Sequence, residues 1–157
     1  MEVLAAQRRV EASEVVIAPA TWRDLPAVWA LERACFGRDA WGPIELGFAL
    51  ISPNVRLKAV ASERIVGLVV AEPHPRAGCA VIATLGVHPE FQRRGIGQHL
   101  LVEAEARLAP PVLQLTVRQS NDAAIALYRK FGYAQVNVWE RYYSGGEAGV
   151  VMEKRRR

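Results

Sequence analysis

Fifteen residues in the middle of the chain, Val87 to Leu101 (V-H-P-E-F-Q-R-R-G-I-G-Q-H-L-L), are of types suited to gripping an anion. The apolar run Val81 to Val87 before them reads as a strand. The turn carries Gln92, Arg93, Arg94, Gly95, Ile96, Gly97 and Gln98. Apolar residues at Ile96, Leu100, Leu101, Ala104 and Leu108 then fit one face of a helix that ends at Pro110-Pro111. A helix N-terminus thus follows directly on a turn rich in glycine and arginine. Its first backbone N–H groups lack intrahelical partners, the helix dipole adds partial positive charge, and Gly95 and Gly97 have no side chains to keep an anion out. The pattern predicts a phosphate cradle, the plainer alternative being a strand–helix corner punctuated by glycine. Arg93 and Arg94 either add charge-assisted contacts with phosphate or belong to a solvated turn. His99 and Leu100 stand where the dinucleotide fingerprint would need its third glycine, and no Gly-Lys-Ser/Thr follows.

A second constellation lies at Asn121 to Tyr133 (N-D-A-A-I-A-L-Y-R-K-F-G-Y). Asn121 and Tyr128 are two helical turns apart, about 10 Å along an axis, on the same side of a helix that stops at Gly132. Ala124 between them leaves room for an approaching ligand arm. Taken singly, Asn121 reads equally as a helix N-cap and Tyr128 as a core aromatic.

The elements that must hold these residues alternate along the chain. Glu14 to Ala18 reads as a strand, and Thr21 with Asp24 opens a helix ending near Phe36-Gly37, close to a capping box. A short helical pattern runs from Ile44 to Leu50. Val55 to Ala61 and Ile65 to Ala71 form a hairpin around Ser62-Glu63-Arg64. Val112 to Val117 alternates as a further strand. Tyr133 to Trp139 and Glu147 to Glu153 close the chain as a strand pair. Strands mixed with helices at this spacing imply an α/β (α+β) domain around one central sheet.

Composition narrows the classes. At 157 residues with 51% hydrophobic content the chain supports one well-buried domain. Residues 1–13 read as a flexible extension, 14–153 as the domain and 154–157 as a basic tail. The net charge of +4 comes entirely from Lys154, Arg155, Arg156 and Arg157, so a solvated terminus is expected and nucleic-acid binding is not. No apolar run approaches the ~18 residues of a membrane span, and Gln7, Arg8 and Arg9 interrupt any signal-peptide core, so a cytoplasmic protein with no membrane partner is expected. Cys35 and Cys79 show no C-x-x-C, and His74, His88 and His99 show no ligand spacing, so neither a disulfide framework nor a metal site is expected.

The string from Thr84 through the Gly95–Gly97 turn resembles the coenzyme A pyrophosphate loop of the GNAT N-acetyltransferase superfamily. Asn121 to Tyr133 resembles that family's N-x-x-A-x-x-L-Y-x-x-x-G-F/Y segment. The resemblance implies a single domain with a mixed, mostly antiparallel central sheet flanked by helices on both faces. It implies acetyl-CoA as acyl donor, held by Leu85, Gly86 and Val87 on a splayed strand, by Gln92 through Gln98, by Asn121 and by Tyr128. Tyr128, a phenol of ordinary pKa about 10, would protonate the departing thiolate. The run Arg141-Tyr142-Tyr143-Ser144-Gly145-Gly146-Glu147 resembles a segment of protein N-terminal acetyltransferases of the ribosomal-protein-alanine group. By that likeness Tyr142 and Tyr143 wall a slot for a peptide N-terminus, the other reading being an aromatic pair that stiffens a hairpin.

Two departures stand out. Thr116 occupies the position of the family's general base, where it could hold a relay water, and Ala148 replaces an expected Asp. Glu45 and His88 are alternative water-linked bases. The expectation is direct transfer of acetyl to a primary amine, most simply a protein or peptide N-terminus. Small-molecule amine acetylation and acyl-CoA binding without turnover are the rivals. A monomer and a homodimer are equally compatible with the sequence.

Overall fold

A computed structural model describes residues 14–157; the N-terminal extension read at residues 1–13 lies outside the described residues. One sheet of seven strands runs through the molecule: β1 (Val16–Pro19), β2 (Val55–Ala61), β3 (Arg64–His74), β4 (Cys79–Val87), β5 (Val112–Arg118), β6 (Ala134–Trp139) and β7 (Gly149–Arg155), in the order β1-β2-β3-β4-β5-β7-β6. Every neighbouring pair is antiparallel except β4–β5. Helices α1 (Leu25–Phe36) and α2 (Pro43–Ile51) bury Val28, Leu31, Leu46 and Leu50 against Leu68 and Val70 on one face. Helices α3 (Ile96–Ala106) and α4 (Asp122–Lys130) cover the other, where Leu100, Leu101 and Tyr128 meet Val69, Leu113 and Leu115. This is the mostly antiparallel sheet with helices on both faces that the resemblance implied.

Local chemistry accounts for the boundaries. The Thr21 N–H donates to the Asp24 carboxylate at 2.8 Å, and a 3-10 turn over Trp22–Asp24 leads into α1. The β2–β3 hairpin turns through Ser62 and Glu63, both at positive φ, as a tight two-residue hairpin demands. In β4 the register with β3 shifts between Val70 and Ala71, which pair with Thr84 and Ile82, so Ala83 is bulged out. A one-residue slip reverses facing. Ala80 and Ile82 therefore point toward α3, while beyond the bulge Leu85 and Val87 take that direction and Thr84 reaches α1. A Cβ at Gly86 would stand 3.1 Å from Cys35 Sγ and from the Phe36 ring, so α1 lies close on β4 at this point.

The C-terminus departs from expectation. β7 continues through Arg155, so two of the four basic residues are strand rather than solvated tail. Lys154 pairs with Glu105 at 2.8 Å, and Glu105 also accepts the Tyr133 hydroxyl at 2.7 Å. Arg156 donates to the carbonyls of Glu105 (2.7 Å), Leu108 (2.6 Å) and Pro110 (2.7 Å). Helix α3 ends at Ala106, four residues before the prolines, and Arg156 takes up carbonyls released there. The apolar residue at Leu108 had extended the helical pattern past its true end. Arg156→Ala is expected to lower unfolding free energy by about 2 kcal/mol, since several charge-assisted bonds to backbone go at once; urea denaturation measures it.

Candidate active site

Strands β4 and β5 pair only at Cys79–Val112, Ala80–Leu113 and Val81–Gln114, although each continues well past that point. The sheet opens between them. His88 N–H donates to Val66 O on the β3 side at 2.8 Å. Backbone groups alternate in direction along a strand, so those of Val87 and Leu85 point the other way, into the gap. Val87 O is taken by the Gln92 side-chain amide at 3.0 Å, which braces the turn beyond the strand.

That turn leaves several donors open. Gly95 adopts φ 80°, the left-handed conformation that admits glycine readily, and caps α3 with no side-chain hydrogen bond. The first intrahelical bond from this end is His99 N–H to Gly95 O at 3.0 Å, so the N–H groups of Ile96, Gly97 and Gln98 face outward unpaired. Arg93 is also left-handed at φ 62°. Arg94 lies 5.0 Å above the Phe91 ring and donates one Nη to Glu90 O at 3.1 Å. Its Nη1 is buried and has no hydrogen-bond partner among the described residues, a guanidinium donor open to an anion. Open amides, a glycine bend and an orphaned guanidinium nitrogen together fit a diphosphate.

The gap widens into a cavity of ≈ 620 Å³ that passes from one face of the sheet to the other. On the α4 side it is lined by Asn121, Ala124 and Tyr128, and on the α1 side by Glu32, Trp41 and Thr116. Leu85, Tyr142 and Tyr143 line it as well. Thus Leu85, Thr116, Asn121, Tyr128, Tyr142 and Tyr143 of the expected site meet in one space. Gly86, Val87 and Gln92 through Gln98 lie beyond it, where β4 ends and α3 begins. Neither Glu45 nor His88 lines the cavity: Glu45 is exposed on α2, and the His88 ring instead accepts the Glu90 N–H at 3.2 Å.

Each contact carries its own chemistry. Asn121 caps α4 by accepting the Ala124 N–H at 3.2 Å, leaving its amide NH₂ for a ligand. Tyr128 is 8% exposed, and among the described residues no group bonds its hydroxyl. Burial first, then the nearby Tyr143, hold its phenol well above the ordinary value, so it is a protonated donor throughout the neutral range. Tyr143 donates to Thr116 O at 3.0 Å, and its own ionisation is pushed up to about 12, mainly by burial.

Arg118, which sequence reasoning passed over, organises the α1-side wall. It binds the carboxylates of Asp39 and Glu147, donates to Ser144 O at 3.1 Å and lies 4.9 Å from the Tyr143 ring. Asp39 is held below the usual carboxylate range, first by the bond from Arg118; Glu147 is held low, first by its bond from Ser120. The loop after α1 and the β6–β7 connection are thereby clamped together. Ala148, where an Asp was expected, is buried at 7%. Glu32 was also missed. Its signal was present: a charge at the buried spacing of Leu25, Val28 and Leu31 on α1.

Comparison with known proteins agrees with this geometry. The model of the family described as "Acetyltransferase (GNAT) family" matches residues 21–133. The chain is 36% identical over 140 residues to the N-alpha-acetyltransferase RimI of Mycobacterium tuberculosis, covering 85% of this chain and 89% of that protein. It is 32% identical over 136 residues to the [ribosomal protein bS18]-alanine N-acetyltransferase of Salmonella typhimurium, covering 82% and 89%. The structure of the ribosomal-protein-S18-alanine N-acetyltransferase from Escherichia coli superposes with a TM-score of 0.80 at 25% identity, over 90% of this chain and 93% of that one.

Removing the orphaned guanidinium in Arg94→Ala is expected to weaken acetyl-CoA binding about tenfold, measured by titration calorimetry. Arg118→Met is expected to raise KM for the acceptor while leaving acetyl-CoA affinity intact. Because Asp39 and Glu147 ionise lower when folded, the stability their ion pairs lend is present above pH about 4 and is lost as pH falls through their folded pKa values. Acid unfolding of Arg118→Met should be correspondingly flatter.

Proposed function

We propose that this chain, which belongs to the GNAT acetyltransferase family and is an acetyl-CoA-dependent N-acetyltransferase, acetylates the α-amine at the N-terminus of a protein or peptide. The acyl donor supplies an activated acetyl thioester. The observation that carries the reading is the cavity through the splayed sheet, which joins the Tyr128 hydroxyl on one face to the Tyr142–Tyr143 wall on the other. Relatives named for N-terminal acetylation, alignable over more than four-fifths of the chain, support the same acceptor class.

In this reading the backbone of Leu85 and Val87, the turn from Gln92 to Gln98 and the Asn121 amide hold the donor's arm and diphosphate. Open amides on β4 face the gap and polarise the acetyl carbonyl. Tyr128 protonates the departing thiolate. Two substrates held side by side need no covalent enzyme intermediate. Tyr142 and Tyr143 present aromatic walls to an extended chain, and the Arg118 clamp fixes their distance from β5.

The amine itself favours an N-terminus. An α-amine of pKa about 7.7–8.0 is roughly one-tenth neutral at pH 7, whereas a lysine near 10.4 is about 300-fold scarcer as a nucleophile. Removing that handicap would take about 3.4 kcal/mol of added base catalysis.

A peptide library of varied first residues, run beside polyamines and aminoglycosides with coenzyme A release as the readout, is expected to show turnover on peptide N-termini. Turnover on the small amines alone, or acetyl-CoA binding with no thiol release, would overturn the acceptor assignment. Tyr128→Phe is expected to lower kcat about 100-fold while acetyl-CoA still binds; an unchanged kcat removes Tyr128 from proton transfer.

A further inference from the structure

Two carboxylates are buried among the described residues, and they differ in company. Glu105 is paired with Lys154. Glu32, 3% exposed, has no cation within ion-pair distance among the described residues. What it has are three long hydrogen bonds: the Thr84 hydroxyl at 3.2 and 3.4 Å to its two oxygens, and the Trp41 N–H at 3.4 Å. Burying a carboxylate with so little compensation is costly unless a partner arrives. The side chain lines the cavity, on the same side of the sheet as Thr116 and the Tyr143 wall. Burial holds its carboxyl above the usual range, the direction a base working near neutrality needs.

We propose that Glu32 receives the ammonium of the acceptor in this cavity and takes its proton, the task that Thr116 cannot perform. The inference rests on amine acetylation at this site, and not on which amine is used. Glu32 accepts one proton from the ammonium, freeing the nitrogen lone pair. The nitrogen–carbon bond then forms as the carbon–sulfur bond breaks. Tyr128 gives its proton to sulfur and is resupplied with the nitrogen's second proton, and Glu32 returns its own to solvent. The net yield is amide, free thiol and one proton released.

Neighbouring groups do not blur the assignment. Cys35 on the same helix is pushed up to about 12, by burial and then by the charge on Glu32. Tyr128 and Tyr143 are raised and stay neutral. Asp39 and Arg118 are bound to each other, and Arg38 lies beside them. Tyr142 lies on the outer wall. Glu72 on β3 also lines the cavity, with His74 3.9 Å away, and serves as the control.

The test is Glu32→Gln, which keeps size and hydrogen bonding. Its kcat/KM is expected to fall about 100-fold at pH 7 and to exchange the acidic limb of the wild-type pH profile for one that follows the acceptor amine's own ionisation, whereas Glu72→Gln keeps the wild-type limb. Binding supplies a readout without turnover. The wild type is expected to hold a free-amine peptide more tightly than the same peptide N-acetylated, and Glu32→Gln to lose that preference. An unaltered pH profile and an unaltered preference overturn the proposal. Should Glu32→Gln fold poorly, Glu32→Ala titrated with formate decides: dose-dependent rescue of kcat supports a base, and no rescue overturns it. All arms use whichever amine the wild type accepts, so failure of the N-terminal reading changes the substrate but leaves this assignment separately decided.

Discussion

The parting of β4 from β5 is the constraint on which the rest of the structure depends. Parallel neighbours ordinarily exchange hydrogen bonds along their full shared length, yet here they hold for three residues and then diverge. Unpaired backbone groups in a sheet interior are costly unless a ligand meets them. The bulge at Ala83 falls just past the last paired position and re-aims the strand, so that Leu85 and Val87 lean on the α3 core while Thr84 meets α1. Opening the sheet thus gives one passage with two chemically different mouths.

Those mouths are built by different kinds of interaction. On the α3–α4 side, backbone amides, a left-handed glycine and an unpartnered guanidinium offer fixed partial charge to an anion. On the α1 side, side chains do the work: the Arg118 clamp ties Asp39, Ser144 and Glu147 into a wall, and Tyr143 is pinned to Thr116. The proposed donor site is therefore written mainly in backbone conformation, and the proposed acceptor site mainly in long-range side-chain pairing.

That division explains what could be read from sequence. The Gly95–Gly97 turn and the Asn121–Tyr128 helix are local: glycine spacing, helical period and a cap lie within a dozen residues of one another, so the form of both was legible. So were the hairpin at Ser62-Glu63 and the burial of both helix faces. The α1-side wall was not, because Asp39, Arg118, Ser144 and Glu147 come from three separated segments and meet only when the sheet forms. Thr116 told of a missing base without telling where another carboxylate would come from. The charge at the C-terminus misled for the same reason, since Lys154 and Arg156 have partners on α3 that no local pattern announces.

Amide hydrogen exchange with and without acetyl-CoA measures the central claim most directly. Protection gained at Leu85 and Val87 in the gap, and at Ile96, Gly97 and Gln98 where α3 begins, is the result this account predicts. Binding that left those five amides exchanging as before, with protection appearing elsewhere on the sheet, would contradict it.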